Sequence, residues 1–188
     1  LVRAFAAVAE ETPNARLLMV GGGSELDDYR YLARDLGIAN RVHFTGRVEY
    51  AWVPAYLAVA DLFVTASVTE VHPLTVLEAM AAGLPVLGIR SPGIADTIEP
   101  EVNGLLSSED QAAFAVKLAR LFTDDELRTR LAAGARATSE RYSIEATTQR
   151  HLELYEELLA ARQPARLASQ WGIARPRRGD WVRRHAEG

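Results

Sequence analysis

The sequence predicts an α/β fold: a parallel sheet covered by helices on both faces, followed by an all-helical segment. Three observations predict it. Short apolar runs alternate with stretches of helical periodicity from Leu1 to Leu106. The runs are apolar at successive positions rather than at every second one, as in strands buried on both faces. From Asp110 onward only helical spacing remains.

The elements follow in order. Leu1, Phe5, Ala6, Val8 and Ala9 share a helical face that ends near Pro13. Residues 16–20 (Arg-Leu-Leu-Met-Val) form a buried strand, closed by the turn residues Gly21, Gly22 and Gly23. Leu26, Tyr29, Leu32, Ala33 and Leu36 make the next helix, with Gly37 as its C-cap. Residues 42–45 are a strand, 53–60 a helix and 62–65 a strand. Residues 74–82 are a helix that stops at Gly83, and residues 85–89 are a strand. Leu105 and Leu106 make a last short strand, the fifth named here, and the fold expected is a sheet of about six parallel strands. Three helices follow. Phe114, Leu118, Leu121 and Phe122 lie on the first, Leu127 and Leu131 on the second, and Ile144, Thr148, Leu152, Tyr155 and Leu159 on the third.

Composition narrows the function classes. The chain has 188 residues, 48% of them hydrophobic and 24% charged, which suits one globular domain with a core of its own. No apolar run is long enough to span a bilayer, and no signal peptide pattern opens the sequence. The absence of cysteine excludes disulfides and thiolate metal sites and fits a reducing, cytoplasmic compartment. Residues 163–188 carry six arginines against two acidic residues, so the remainder is distinctly acidic and is no nucleic-acid surface. We expect a binding domain over residues 1–162 and a basic, flexible tail over 163–188. Helical spacing already running at Leu1 reads as a chain cut at its N-terminus.

In a doubly wound sheet, ligands bind beyond the carboxyl ends of the strands. Those ends carry residues 21–24, 46–49, 66–73 and 91–96. The third of these leads into a helix. Pro73 suits that helix's first turn, because its fixed φ fits and its missing N–H has no intrahelical partner. The N–H groups of Leu74, Thr75 and Val76 are then expected to be free donors at the positive end of the helix dipole, a site for a diphosphate. Glu70 precedes the helix and Glu78 lies within it. On one continuous helix they would sit about 80° apart, whereas a loop position for Glu70 lets both face one ligand. Glu78 stands among Leu77, Ala79, Met80 and Ala81, where a carboxylate needs donors that a ribose diol would supply. The alternative is that both glutamates are solvated charges.

The surrounding residues resemble the family 4 retaining glycosyltransferases, two-domain enzymes of the GT-B fold. The resemblance is carried by residues 18–23 (Leu-Met-Val-Gly-Gly-Gly), Leu36-Gly37, residues 41–48 (Arg-Val-His-Phe-Thr-Gly-Arg-Val) and 60–67 (Ala-Asp-Leu-Phe-Val-Thr-Ala-Ser). It continues through residues 70–78, 79–86 and 103–106, with residues 141–144 as a lead-in to the last helix. The resemblance implies a Rossmann-like donor-binding domain, the C-terminal half of the GT-B fold. It implies transfer of a glycosyl group from a nucleotide-diphosphate sugar to an acceptor hydroxyl, with retention and with no cofactor or metal. Glu78 would hold the ribose hydroxyls, and Glu70 would act at the transferred sugar as the catalytic carboxylate. Leu74 and Thr75 would meet the phosphates and sugar through backbone N–H groups. Gly21, Gly22 and Gly23 would let the backbone approach the donor, and Arg47 and Val48 would flank the base.

His72 and Pro73 depart from the family pattern, which has an aromatic residue and then Gly. Pro73 cannot donate, and His72 is open between a ligand contact and a structural role. An acceptor sugar, lipid or small molecule would be bound mainly by a domain upstream of Leu1, so the chain alone should bind nucleotide weakly and transfer nothing. Rival readings are another GT-B enzyme, such as a sugar-nucleotide epimerase or phosphorylase, and a non-catalytic nucleotide-binding module.

Other signals are weaker. The glycines at 21–23 fail as a dinucleotide fingerprint, because Leu26 stands where its third glycine belongs. No Asp-x-Asp occurs, and His43, His72, His151 and His185 are too scattered to form a metal ligand set. His43 and His151 read as structural, and Trp52 as core. The tail's arginines and tryptophans could touch anionic lipid at the inner face of a membrane, with a solvated tail the favoured reading.

Overall fold

The computed structural model describes residues 1–160. The expected change of character at Gln163, the basic tail and His185 lie outside the described residues. Contacts divide the chain into a unit spanning Leu1–Ser143 and a second that begins at Ile144.

In the first unit, α1 (Val2–Ala9) leads into β1 (Leu17–Val20), then α2 (Leu26–Asp35) and β2 (Val42–Gly46). A 3-10 turn at Tyr50–Trp52 precedes α3 (Val53–Ala58), which is followed by β3 (Phe63–Thr65) and α4 (Leu74–Ala81). The order closes with β4 (Val86–Ile89), α5 (Pro92–Thr97), β5 (Gly104–Ser107), α6 (Gln111–Thr123) and α7 (Asp125–Glu140). The all-helical segment after residue 110 is therefore present, and its second unit consists, among the described residues, of α8 (Ile144–Ala160).

Local chemistry explains the boundaries. α2 carries Asp27 and Asp28 in its first turn and Arg34 in its last, each matched to the helix dipole. It ends where Gly37 takes φ +69° and donates to the Arg34 carbonyl, while Ile38 N–H returns to the Ala33 carbonyl. α4 ends in the same way, with Gly83 N–H donating to Met80 and Leu84 N–H to Ala79. Asp110 caps α6 by accepting from Ala113 N–H at 2.7 Å, and Asp124 caps α7 by accepting from Leu127 N–H at 2.8 Å.

All strand pairs are parallel. They form two ladders rather than the single sheet of about six strands expected from sequence. β1 pairs with β2, from Leu17 opposite Val42 to Val20 opposite Gly46. β4 lies between β3 and β5, from Phe63 opposite Val86 and from Val86 opposite Gly104. Successive side chains of a strand point to opposite faces. Leu87 and Leu105 accordingly join α1, α2, α6 and α7 in one apolar cluster, while Val86 and Leu106 join α4 and α5 in another. Helices thus cover both faces, as expected. α5 was not foreseen. It is a six-residue helix beginning Pro-Gly, too short to show a helical period.

A buried polar tie fixes the amino end of β5. Asn103, 1% exposed, accepts from Glu99 N–H at 2.9 Å and donates to the Thr97 carbonyl and to Thr138 Oγ1 of α7. Replacing it with Ala leaves these buried groups unsatisfied. Asn103→Ala is expected to lower unfolding stability by about 1–3 kcal/mol per group left unpaired, read as a reduced urea midpoint at unchanged slope.

Candidate functional site

The expected site residues stand in the loops after β1, β2 and β3 and on α4, the helix that follows β3. The turn after β1 begins at Gly21, whose φ of +133° suits glycine alone. Gly21 N–H bonds the Gly46 carbonyl at 3.2 Å, and a Cβ on Gly22 would come within 3.0 Å of the Arg47 nitrogen. The Gly21, Gly22, Gly23 turn therefore runs against the Gly46-Arg47 loop backbone to backbone. Gly23 and Arg47 are exposed, and Val48 is half-buried.

The loop after β3 carries Glu70. Its Oε1 accepts from Ser67 Oγ at 3.0 Å, and its backbone carbonyl accepts from Gly93 N–H at 3.1 Å. Any Cβ at Gly93 would lie 2.5 Å from the carbonyl oxygens of Glu70 and Val71. The start of α5 can approach this loop only because residue 93 has no side chain. His72 is exposed, with its ring 6.2 Å from that of Tyr142 at 48°.

α4 begins at Leu74, as the sequence implied, with Pro73 ahead of its first turn rather than in it. Pro73 is a buried N-cap with φ −78° and ψ 86°, outside the first turn. Two of the three expected free donors are also engaged. Leu74 N–H donates to the His72 carbonyl and Val76 N–H to the Pro73 carbonyl, both at 3.0 Å. The tight cap turns the chain back on itself and uses these donors. Thr75 N–H is left without a partner among the described residues, on an exposed residue at the helix start.

Glu78 lies on α4, half-buried, and its Oε1 accepts a short hydrogen bond from the Tyr50 hydroxyl. That bond, and then the carboxylate's charge, push the Tyr50 phenol above its usual range. Glu78, Thr75 and Tyr50 line one wall of a cleft of about 1120 Å³. Glu70, His72 and the three glycines do not line it. The site residues thus fall into three groups: Glu78 with Tyr50 and Thr75, Glu70 with Ser67 and Gly93, and Gly22 with Arg47. Glu70 is in a loop and Glu78 in a helix, as the spacing implied.

Sequence reasoning missed Tyr50, Ser67 and Gly93. Ser67 Oγ lies three residues from Glu70, within reach of a local turn, so that pair had a signal. Tyr50 had none, since 28 residues separate it from Glu78. Trp52, expected in the core, is 62% exposed on the turn after Tyr50. His43 is exposed on β2, and the exposed His151 ring has Nδ1 2.7 Å from the Thr147 carbonyl of its own helix. Among the described residues no group of three His, Asp or Glu side chains is placed to hold a metal ion, and no helix is long and apolar enough to cross a membrane.

Comparisons with known proteins agree with this fold. The family model described as glycosyl transferases group 1 matches residues 1–138. The chain is 34% identical over 174 residues to a D-inositol 3-phosphate glycosyltransferase of Salinispora arenicola, covering 87% of this chain and 39% of that protein. It is 36% identical over 146 residues to a GDP-mannose-dependent phosphatidylinositol monomannoside mannosyltransferase of Mycobacterium tuberculosis, covering 72% of this chain and 37% of that protein. Among solved structures it is similar to Anabaena HepE in complex with UDP, with a TM-score of 0.74 at 26% identity, covering 84% of this chain and 44% of that one. Sucrose-phosphate synthase from Thermosynechococcus elongatus matches with a TM-score of 0.71 at 27% identity, covering 85% of this chain and 42% of that one. The chain therefore spans about two-fifths of the length of the curated relatives it matches.

The Tyr50–Glu78 bond has a measurable signature. A raised phenol pKa in the folded state means that the pair's contribution is present below the ordinary tyrosine range and is lost as pH rises through the folded value. In an NMR titration of ring-labelled tyrosines, Tyr50 should ionise above its free value. Glu78→Gln should bring it back towards the ordinary range.

Proposed function

This chain belongs to the glycosyl transferases group 1 family, and from that premise we propose that it forms the donor-binding part of a retaining glycosyltransferase. The donor is a nucleotide-diphosphate sugar, the acceptor a hydroxyl group, and the product keeps the anomeric configuration. The observation that carries this reading is the wall formed by Glu78, Tyr50 and Thr75. It sets a half-buried carboxylate beside a helix start with an unused N–H.

In this reading the Glu78 carboxylate accepts both ribose hydroxyls, taking over from the Tyr50 hydroxyl. The diphosphate meets the positive end of α4 at Thr75, while Leu74 contributes position more than a free donor. The Gly21–Gly23 turn admits the diphosphate sugar close to the backbone, and Arg47 and Val48 flank the base. Glu70 faces the transferred sugar. Its carboxylate, held by Ser67, stabilises the positive charge that develops at the anomeric carbon as the bond to the diphosphate breaks. His72 borders the sugar, and Pro73 supplies the cap but no donor. No metal ligand enters the scheme. The acceptor is bound by residues outside this chain, and membrane contact, if made, belongs to the basic residues after 162.

The HepE relative, in complex with UDP, makes UDP the first nucleotide to try, with GDP second because of the mannosyltransferase relative. Calorimetric titration of the 188-residue chain should show weak binding of one of them, equal in EDTA and in magnesium. Glu78→Ala should weaken it by about 10- to 100-fold, the worth of hydrogen bonds to a charged group. Unchanged affinity in Glu78→Ala would refute the ribose assignment. In a polypeptide that also carries the acceptor-binding residues, Glu70→Gln should lower kcat by about 100-fold or more with little change in nucleotide affinity. The anomeric coupling of the product reads retention directly.

A further inference from the structure

Near its carboxyl end, strand β2 carries one residue more than its pairing with β1 uses. Met19 lies opposite Phe44 and Val20 opposite Gly46, so the register shifts and Thr45 has no partner on β1. An extra residue of this kind is a β-bulge, a feature common beside active sites and rare between parallel strands. It interrupts the ladder where the glycine turn begins.

The side chain of Thr45 compensates for the interruption. Its hydroxyl donates to the Gly46 carbonyl at 2.8 Å and accepts from Gly21 N–H at 3.3 Å. It also lies 3.5 Å from the Met19 carbonyl, but a hydroxyl has one proton, and the shorter contact takes it. Gly21 N–H is shared with the Gly46 carbonyl at 3.2 Å. One side chain thus closes a small set of hydrogen bonds between the last residue of β2 and the first residue of the turn after β1.

What these bonds hold is otherwise loosely confined. Residues 21–24 are Gly-Gly-Gly-Ser, all exposed. A Cβ at Gly21 or Gly23 would meet nothing within 4 Å, so packing does not restrain either residue. Glycine loses more conformational freedom on ordering than any other residue. The N–H groups of Gly22 and Gly23 have no partner among the described residues. Successive free backbone donors suit an anion when the turn that carries them is fixed. On a mobile turn, the cost of ordering it is subtracted from binding.

We propose that Thr45 is a positioning residue for the donor: its hydroxyl fastens the bulged end of β2 to Gly21 and so holds the Gly22 and Gly23 N–H groups in the conformation that receives the diphosphate. Thr45 acts through the turn and touches no ligand itself. The identity of the ligand rests on the donor reading above, and the fastening rests on the bulge and its hydrogen bonds. Valine has nearly the shape of threonine but no hydroxyl, whereas serine keeps the hydroxyl and loses a methyl group. The two substitutions therefore separate the hydrogen bonds from the packing.

The test uses the 188-residue chain with UDP and GDP as probes. Thr45→Val should weaken binding of whichever nucleotide the unaltered chain takes by about 3- to 10-fold, the worth of one neutral hydrogen bond. Thr45→Ser should restore most of that loss. Amide order parameters report the cause. Those of Gly22 and Gly23 should fall in Thr45→Val and recover in Thr45→Ser, while those of β4 stay as they were. If Thr45→Val does not fold, Thr45→Ala removes the same hydroxyl without added bulk and is read in the same way. Unchanged affinity, unchanged order at Gly22 and Gly23, or no recovery in Thr45→Ser overturns the proposal. Binding lost in Glu78→Ala but kept in Thr45→Val rejects the role of Thr45 and leaves the donor reading standing. An unaltered chain that binds neither nucleotide overturns both.

Discussion

Parallel pairing is the constraint on which the rest of this structure depends. Strands that run the same way cannot be joined by a tight turn, so each must be followed by a crossover. Every strand then delivers its carboxyl end to the same edge of its ladder. The chain places glycine, carboxylate and hydroxyl residues at those ends and apolar residues between them. Glu70 and Glu78 differ in character because a loop-to-helix transition separates them. One is held by a neighbouring serine in a loop and the other by a distant tyrosine on a helix.

The close approach at Gly93 couples two of these ends. The loop after β3 has few hydrogen bonds of its own, and its Glu70 carbonyl is held by the first turn of α5. α5 is in turn tied through Thr97 and Asn103 to α7. A chain of packed and hydrogen-bonded contacts therefore runs from the core helices to the Glu70 backbone, while the carboxylate itself remains half-buried and reachable.

Most of the fold was legible in the sequence because its signals are local. Gly37 and Gly83 announced the ends of α2 and α4, and consecutive apolar positions announced buried parallel strands. What was not legible depends on three-dimensional placement. α5 is too short for a period, and Trp52 looked like core because size and aromaticity do not report which side of a turn faces solvent. The role of Pro73 differed from expectation because proline fits either a cap or a first turn. That role decides which N–H groups are consumed locally. The division of the sheet into two ladders was invisible for a different reason. Each strand is correctly apolar for a central position, and nothing in its own sequence says whether a neighbour is present.

The Tyr50–Glu78 bond gives the empty site a particular thermodynamic character. A half-buried carboxylate gains from a donor, and here a phenol on an exposed turn fills that role. A diol arriving at Glu78 would exchange one hydroxyl for two. The reaction is then nearly balanced in hydrogen bonds, and its selectivity comes from the second hydroxyl alone. A 2′-deoxy nucleotide would trade one bond for one and gain almost nothing. The tyrosine would thus act as an internal competitor that sets the threshold a ligand must exceed, lowering the affinity for every ligand of Glu78 by the same factor.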